Sequence, residues 1–315
     1  MSGPDLEVII VSYRVRRFLS SCLASLYGAL AADGLHARVQ VLDNASDDGS
    51  ADMVAAEYPQ VELVRNSLNI GYARGVNLGL RRLGYPIAPV SASPVLLLNP
   101  DTEVLPGTLR WLVDDLGRLP RAGLVGPGLR FGDGSLQHSA FRFPGLVQTG
   151  LEFFPIHWRL RESKLNGRFS AAETGSAPFR CDHPLGAAML LRSQALTEIG
   201  LFDDGYFMYC EEIDWCWRAA RLGWEIWSDP RAVIVHHAGR SSAQFRQAMF
   251  VELWRSRYRL FSKQRGRAFQ GAARGLVRLG LAYEMARARR QVRAGELSPV
   301  EFAERMAAWR TVWAL

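Results

Sequence analysis

The chain has 315 residues, is 48% hydrophobic and 22% charged, and carries a net charge of +7. This is the balance of a soluble globular protein with one large domain or two. No stretch approaches the roughly 18–20 apolar residues of a membrane-spanning helix, and Cys22, Cys181, Cys210 and Cys216 contain no CxxC pair, which argues against a disulfide framework or a thiolate zinc site. The charge is unevenly placed: Ala243 to Leu315 holds fifteen Lys and Arg against five Asp and Glu, while the rest is slightly acidic at 23 against 26. Such a basic tail is either a contact for nucleic acid or a membrane surface, or a solvated helix face. The acidic start, Met1 to Glu7, lacks a signal-peptide pattern, which predicts the cytoplasm.

In chain order, Leu6 to Val11 is a short β-branched apolar run, the pattern of a buried parallel strand, and the chain leaves it at Ser12-Tyr13. Phe18, Leu19, Cys22, Leu23, Leu26 and Leu30 follow at helical spacing. Ala37 to Leu42 is a second strand ending at Asp43-Asn44, Ser46 to Ser50 leads into a helix, Val61 to Val64 is a third strand, and Asn69 to Tyr72 opens a helix running to Arg82. This alternation predicts a parallel sheet covered on both faces. Val95 to Leu98 is another strand, ending in Asn99-Pro100-Asp101, and Pro106 starts a helix with Leu109, Leu112, Val113 and Leu116 inward. Leu124-Val125 is a short strand. Phe131 to His183, rich in Gly, Arg, Phe and Ser, reads as a long and partly mobile excursion. Strands resume at Leu185 to Leu191, Trp224 to Trp227 and Ala232 to Val235, the last ending in His236-His237. From Phe245 onward the chain reads as helical, with breaks at Gly266, Gly295 and Pro299.

Ligands bind beyond the carboxyl ends of strands in such sheets, where Ser12, Tyr13, Asp43 and Asp101 fall. Asp43 is either an acceptor for a base or ribose edge or a turn residue with Asn44 and Ser46. Asp101 suits a hard divalent cation, Mg²⁺ or Mn²⁺, or is a turn Asp after Pro100. His236 is either a nitrogen ligand, more natural for Mn²⁺, or a structural strand-end residue. The aromatic run from Gly205 ends in three carboxylates, Glu211, Glu212 and Asp214, at the start of a helix. They are either first-turn acids facing the helix dipole or include a general base whose pKa apolar and like-charged neighbours raise. Trp215 and Trp217 stack on a sugar or fill the core. The absence of a Walker loop, a GxGxxG and a GxSxG argues against the chemistries those loops support.

Seven blocks in one order carry a resemblance: VIIVSY (Val8 to Tyr13), VLDNASDDGS (Val41 to Ser50), NIGYARGVNLG (Asn69 to Gly79), LLLNPDTE (Leu96 to Glu103), GAAMLLR (Gly186 to Arg192), LFDDGYFMYCEEIDWCWR (Leu201 to Arg218) and VIVHHAGRSS (Val233 to Ser242). Over roughly residues 6 to 265 the chain resembles glycosyltransferase family 2, in its rhamnosyltransferase-like branch. The resemblance implies an α/β, GT-A (Rossmann-like) fold: a mostly parallel sheet flanked by helices, with a helical C-terminal extension. Residues 1–242 would form the catalytic domain, with the nucleotide part about 1–130, the excursion 131–183 and the acceptor part about 184–242; residues 243–315 would form the basic extension. It also implies inverting transfer of a sugar from a nucleotide diphosphate donor, dTDP-L-rhamnose or a UDP-sugar. The acceptor would be a hydroxyl on a bacterial surface glycan or polyprenyl-linked glycan.

In that scheme Ser12, Tyr13, Asp43 and Asn44 hold the nucleotide base and ribose, and Asn69, Gly71 and Asn77 shape the pocket floor. Asn99-Pro100-Asp101 stands at the DXD position, with Asn99 toward the nucleotide and Asp101 as ligand of Mg²⁺ or Mn²⁺; His236 completes the metal site. Glu211-Glu212 matches the acidic pair whose second member is the base, which points to Glu212, with Glu211 as the alternative. Tyr209, Asp214 and Trp215 fall on the acceptor side. Asn99 in place of the first Asp leaves one strong carboxylate ligand, and Glu212 stands where Asp is common. The scheme expects no nucleic acid, and a peripheral contact of the basic helices with the inner face of the cell membrane. The rival readings are a sugar-phosphate nucleotidylyltransferase and an inactive glycan- or partner-binding subunit. The first wants a glycine-rich basic loop after the first strand, which Ser12 to Arg16 is not.

Overall fold

The computed structural model describes residues 3–154, 157–161, 163–169, 171–237 and 245–315. The chain divides into two compact units, Met1–Phe141 with Ala171–Phe207 and Glu211–Ser241, and Arg142–Ser170 with Met208–Cys210 and Ser242–Leu315. The first unit begins with β1 (Leu6–Ser12), α1 (Arg16–Asp33), β2 (Ala37–Asp43), α2 (Ser50–Glu57), β3 (Glu62–Arg65), α3 (Tyr72–Arg82), β4 (Val95–Leu98), β5 (Thr102–Val104), α4 (Thr108–Arg118), β6 (Ala122–Arg130), β7 (Leu136–Gln137) and β8 (Ala140–Phe141). The second unit takes α5 (Leu146–Phe153), α6 (Trp158–Arg161) and a 3-10 turn at Lys164–Asn166. The chain then returns to the first unit with α7 (Ala171–Thr174), β9 (Phe179–Arg180), β10 (His183–Pro184), β11 (Ala188–Leu191), α8 (Ser193–Ile199), α9 (Glu211–Arg221) and β12 (Glu225–His236). Three helices close the chain in the second unit: α10 (Arg246–Gln264), α11 (Arg267–Arg293) and α12 (Pro299–Ala314).

The main sheet runs β3-β2-β1-β4-β11-β6-β12-β5. The first four strands are parallel. Strand β11 is antiparallel to both β4 and β6, so β6 and its parallel partner β12 again run with β1. The carboxyl end of β12 therefore lies at the same edge as those of β1, β2 and β4, and β5 pairs antiparallel with β12. The apolar runs explain the layering: every residue of β1, β4 and β11 is buried, as strands covered on both faces require. Leu19, Leu23 and Leu26 of α1 close one face of the sheet. Each such side chain contributes about 1.5–3 kcal/mol on burial.

Residues 225–236 form one strand where two were expected. A register shift between Asp229 and Val233 accommodates Pro230, so the strand bends without ending. Strand β5 was not anticipated, being only three residues long. The stretch 131–183 carries β7, β8, α5, α6, α7 and β9. The last five residues of the VIVHHAGRSS block, and the expected domain boundary at 242/243, lie outside the described residues.

The second unit has its own core, in which Phe153, Trp254, Val277, Leu281, Trp309 and Val312 are buried. Gly280 lets α11 approach α5 closely, because a Cβ there would collide with the Phe153 ring. Ser298 caps α12 by accepting from the Glu301 backbone N–H at 3.1 Å, with Pro299 opening the helix.

Candidate active site

The nucleotide-side residues are set by strand ends. Ser12 ends β1 and pairs in register with Asp43 at the end of β2. Both are buried, and Ser12 Oγ and Asp43 Oδ1 have no hydrogen-bond partner. The other Asp43 oxygen, Oδ2, accepts from the Ser46 backbone N–H at 2.9 Å. Tyr13 follows in the turn beneath the Arg14 guanidinium, 5.2 Å from its ring centre. Arg14 ties that turn to the next loop through Ser46 Oγ at 2.9 Å and Asp47 at 2.6 Å. Asn44 donates to the Gly71 carbonyl at 3.1 Å, and Asn69 Oδ1 accepts from the Gly71 N–H at 3.0 Å. Gly71 has φ +83, and a Cβ there would run into the Phe207 carbonyl oxygen, so the glycine is obligatory on two counts. The structure therefore brings Ser12, Tyr13, Asp43, Asn44, Asn69 and Gly71 to one edge of the sheet.

The Asp101 and His236 side chains meet at 3.6 Å. His236 Nδ1 lies 3.1 Å from Gln137 Oε1; in the tautomer with the proton on Nδ1, Nε2 is the nitrogen that faces Asp101 and could ligate a cation. Gln137 is thus a positioning residue that the sequence did not reveal, being hidden in the irregular stretch. Asn99 is pinned through its backbone N–H to the Ala187 carbonyl at 2.9 Å, leaving its buried Oδ1 without a partner. Among the described residues no group of three His, Cys, Asp or Glu side chains is arranged to hold a metal. The two ligand candidates would need oxygens from the donor or from water to complete a shell, which is how Mg²⁺ and Mn²⁺ usually bind.

Glu211 and Glu212 open α9. Glu211 is 4% exposed, and burial, then the charge of Glu212, hold its carboxyl well above the ordinary range. Glu212 is partly exposed but its Oε2 is buried without a partner; burial pushes its carboxyl up to about 7, against the pull of backbone N–H groups at Glu212 and Ile213. Its carboxyl lies against Gly186, where a Cβ would stand 3.5 Å from Glu212 Cδ. Tyr72, at the first position of α3, completes the cluster. Its hydroxyl is buried without a partner, and its pKa is raised by burial and then by Glu211, Glu212 and Asp101. One phenol thus feels both acid candidates and the metal-ligand candidate. It stood inside the NIGYARG block without being singled out.

Four expected residues behave differently. Asn77 is fully buried and spends its amide on the loop before α9: Nδ2 donates to the Phe202 carbonyl at 2.8 Å and to Asp204 at 2.5 Å, and Oδ1 accepts from the Phe202 N–H at 3.0 Å. It shapes the site from behind. Asp214 is not an acceptor contact: it is 0% exposed and pairs with Arg218 at 3.2 Å. Arg218 in turn donates to the Ile199 and Leu201 carbonyls at 2.8 Å each. Trp215 is not an acceptor platform either: it is 0% exposed, donates to the Gly200 carbonyl at 3.0 Å and stacks on Phe202. Both point inward because they share the apolar face of α9 with Ala219. Tyr209 belongs to the second unit. It and Cys210 hold φ of 69 and 66, strained values for non-glycine residues immediately before the acidic pair.

Buried polar atoms without partners and a raised carboxyl pair at the carboxyl edge of an α/β sheet are the features of a site for a polar ligand. Residues 4–253 match the model of the family described as glycosyltransferase like family 2. The chain belongs to that family. It is similar to the N-acetylglucosaminyl-diphospho-decaprenol L-rhamnosyltransferase of Mycobacterium tuberculosis, 32% identical over 245 residues, which span 76% of this chain and 78% of the relative. It is also similar to rhamnosyltransferase WbbL of Escherichia coli, 24% identical over 82% of this chain and 93% of the relative. These relatives place it in the rhamnosyltransferase-like branch. Among solved structures it shares a fold with the mannosyltransferase PcManGT of Pyrobaculum calidifontis in complex with GDP-Man and Mn²⁺, at a TM-score of 0.58 and 18% identity over 99% of this chain and 84% of that one. GalNAc-T7 with UDP, GalNAc and Mn²⁺ matches at a TM-score of 0.51 and 14% identity over 74% of this chain, which spans only 44% of that protein.

Proposed function

We propose that this glycosyltransferase moves L-rhamnose from dTDP-rhamnose, with inversion, to a hydroxyl of a lipid-linked or cell-surface glycan. The observation that carries the reading is the row of buried polar atoms without partners: Ser12 Oγ, Asp43 Oδ1, Asn99 Oδ1, Tyr72 Oη, Glu211 Oε2 and Glu212 Oε2. Buried groups are ordinarily paired, and such a concentration at one edge fits a polar ligand that supplies the missing partners. The names of the two rhamnosyltransferase relatives support the sugar, and the decaprenol-linked substrate in one of those names supports the acceptor class.

Ser12, Tyr13, Asp43 and Asn44 hold the nucleoside, with Asn69 and Gly71 fixing the loop beneath. Asp101 and His236, with Asn99 alongside, would hold Mg²⁺ or Mn²⁺, which when bound would supply Lewis-acid stabilisation of the leaving diphosphate. Glu212 accepts the proton of the acceptor hydroxyl as that oxygen attacks the anomeric carbon. A carboxyl near 7 is matched to this task at neutral pH. Glu211, more deeply buried, has its carboxyl held well above the ordinary range by burial and by the charge of Glu212, which favours its neutral form beside an ionised Glu212. With Glu212 acting as base alone, the acceptor oxygen displaces the diphosphate in a single step, which inverts the anomeric centre.

Titration calorimetry with dTDP and UDP in the presence of Mn²⁺ should give binding that EDTA weakens. Glu212→Gln should bind nucleotide as wild type does while transfer falls by about 10²–10⁴-fold. If Glu211→Gln is the inactive variant instead, the base is Glu211; if neither nucleotide binds, the donor reading fails.

A further inference from the structure

The family match ends at residue 253, so α11 and α12 lie wholly beyond it. Helix α11 carries seven arginines against one acid, Glu284, and all seven are exposed. Large apolar side chains share this solvent face: Leu279 is 62% and Tyr283 46% exposed, and Trp313 on α12 is 41% exposed. Arg278 Nε donates to the Trp313 carbonyl at 3.3 Å and fastens the two helices together. Between them lies a cavity of about 330 Å³ lined by Ala282, Met285, Arg289, Arg310 and Trp313. Among the described residues neither Arg289 nor Arg310 makes a side-chain ion pair or hydrogen bond.

Two unengaged guanidiniums over a floor of Met, Ala and Trp suit a phosphate joined to an apolar body better than a fully hydrated anion. A helix with cationic flanks and exposed Leu, Tyr and Trp lies in the plane of a bilayer interface, and anionic headgroups attract each arginine near the surface. No described helix is long and apolar enough to cross a membrane, so the contact is lateral. We propose that the α11–α12 face docks on an anionic lipid bilayer. Arg289 and Arg310 take a lipid phosphate into the cavity, and Leu279 and Trp313 enter the headgroup layer. The inference does not depend on the donor or acceptor assigned above.

The test is flotation of the full chain with vesicles of phosphatidylcholine alone and of phosphatidylcholine with phosphatidylglycerol, at low and high salt. Recovery should require the anionic lipid and fall with salt. The double variant Arg289→Gln/Arg310→Gln should partition about 30-fold more weakly, and Trp313→Ala should weaken binding at either salt. Because these side chains are exposed, unchanged circular dichroism is expected and separates lost docking from lost folding. Equal recovery with neutral and anionic vesicles, or full binding by the double variant, would overturn the proposal. So would vesicle-independent self-association, or retention of an oligonucleotide, that the same variant abolishes.

Discussion

Glu211 and Glu212 are adjacent and chemically identical, yet burial separates them. A carboxyl raised to about 7 predicts that transfer rises with pH through that value as Glu212 ionises. Another group titrates there: burial and neighbouring Asp229 push Asp115 up to about 7, against the opposing pull of Arg231. Asp115→Asn should therefore leave the acid limb of the pH–rate profile in place; a displaced limb would assign it to the Asp115–Asp229 pair. Glu211 gives a stability signature. Its folded carboxyl titrates above the ordinary 4.5, so the folded state retains a proton that the unfolded chain releases. Its contribution is fully present below 4.5 and is lost as pH rises through the folded value. Glu211→Gln should raise the Tm at pH 8 and change little at pH 4. A Tm difference that stays constant across that range would mean that Glu211 is ionised in the folded protein.

At the scale of elements, α9 is held by polar struts from behind. Breaking the Asp214–Arg218 pair by Asp214→Asn removes a charge-assisted hydrogen bond, while Arg218 keeps the Ile199 and Leu201 carbonyls, and should cost about 1.5–3 kcal/mol in denaturant unfolding. Asn77→Ala removes three hydrogen bonds at a buried site and should cost about 2–4 kcal/mol. A loss below 1 kcal/mol in both would dismiss the struts. The alternating strands and helices through Asp101 were legible because each apolar run has one period and one length. The carboxylates and His236 were legible because they end such runs. Asp214 and Trp215 were read as acceptor contacts, although both are buried, because a motif block gives residue identities and not the directions in which side chains point. Asn77 faces the 202–204 loop and Trp215 faces Phe202, contacts made by tertiary packing. Gln137 was invisible because its two-residue strand has no period to read. The long β12 was split in two because Pro230 looks like an ending unless a bulge absorbs it.

For the molecule as a whole, the family match, residues 4–253, takes in nearly all of the first unit and α5 and α6 of the second, and ends within α10. In the sheet of the first unit β12 runs with β1, β2 and β4, and the antiparallel pairing of β5 with β12, which sets Thr102 opposite His236, brings His236 to Asp101. The second unit adds a separate core and a cationic surface. The central claim is that the strand edge binds a nucleotide sugar and transfers its glycosyl group. The most direct measurement incubates the full chain, Mn²⁺ and a polyprenyl-linked glycan acceptor with a panel of nucleotide sugars and follows release of the nucleoside diphosphate. The account predicts release from dTDP-rhamnose above all others, lost in Glu212→Gln; no release from any nucleotide sugar, or equal release by that variant, would contradict it.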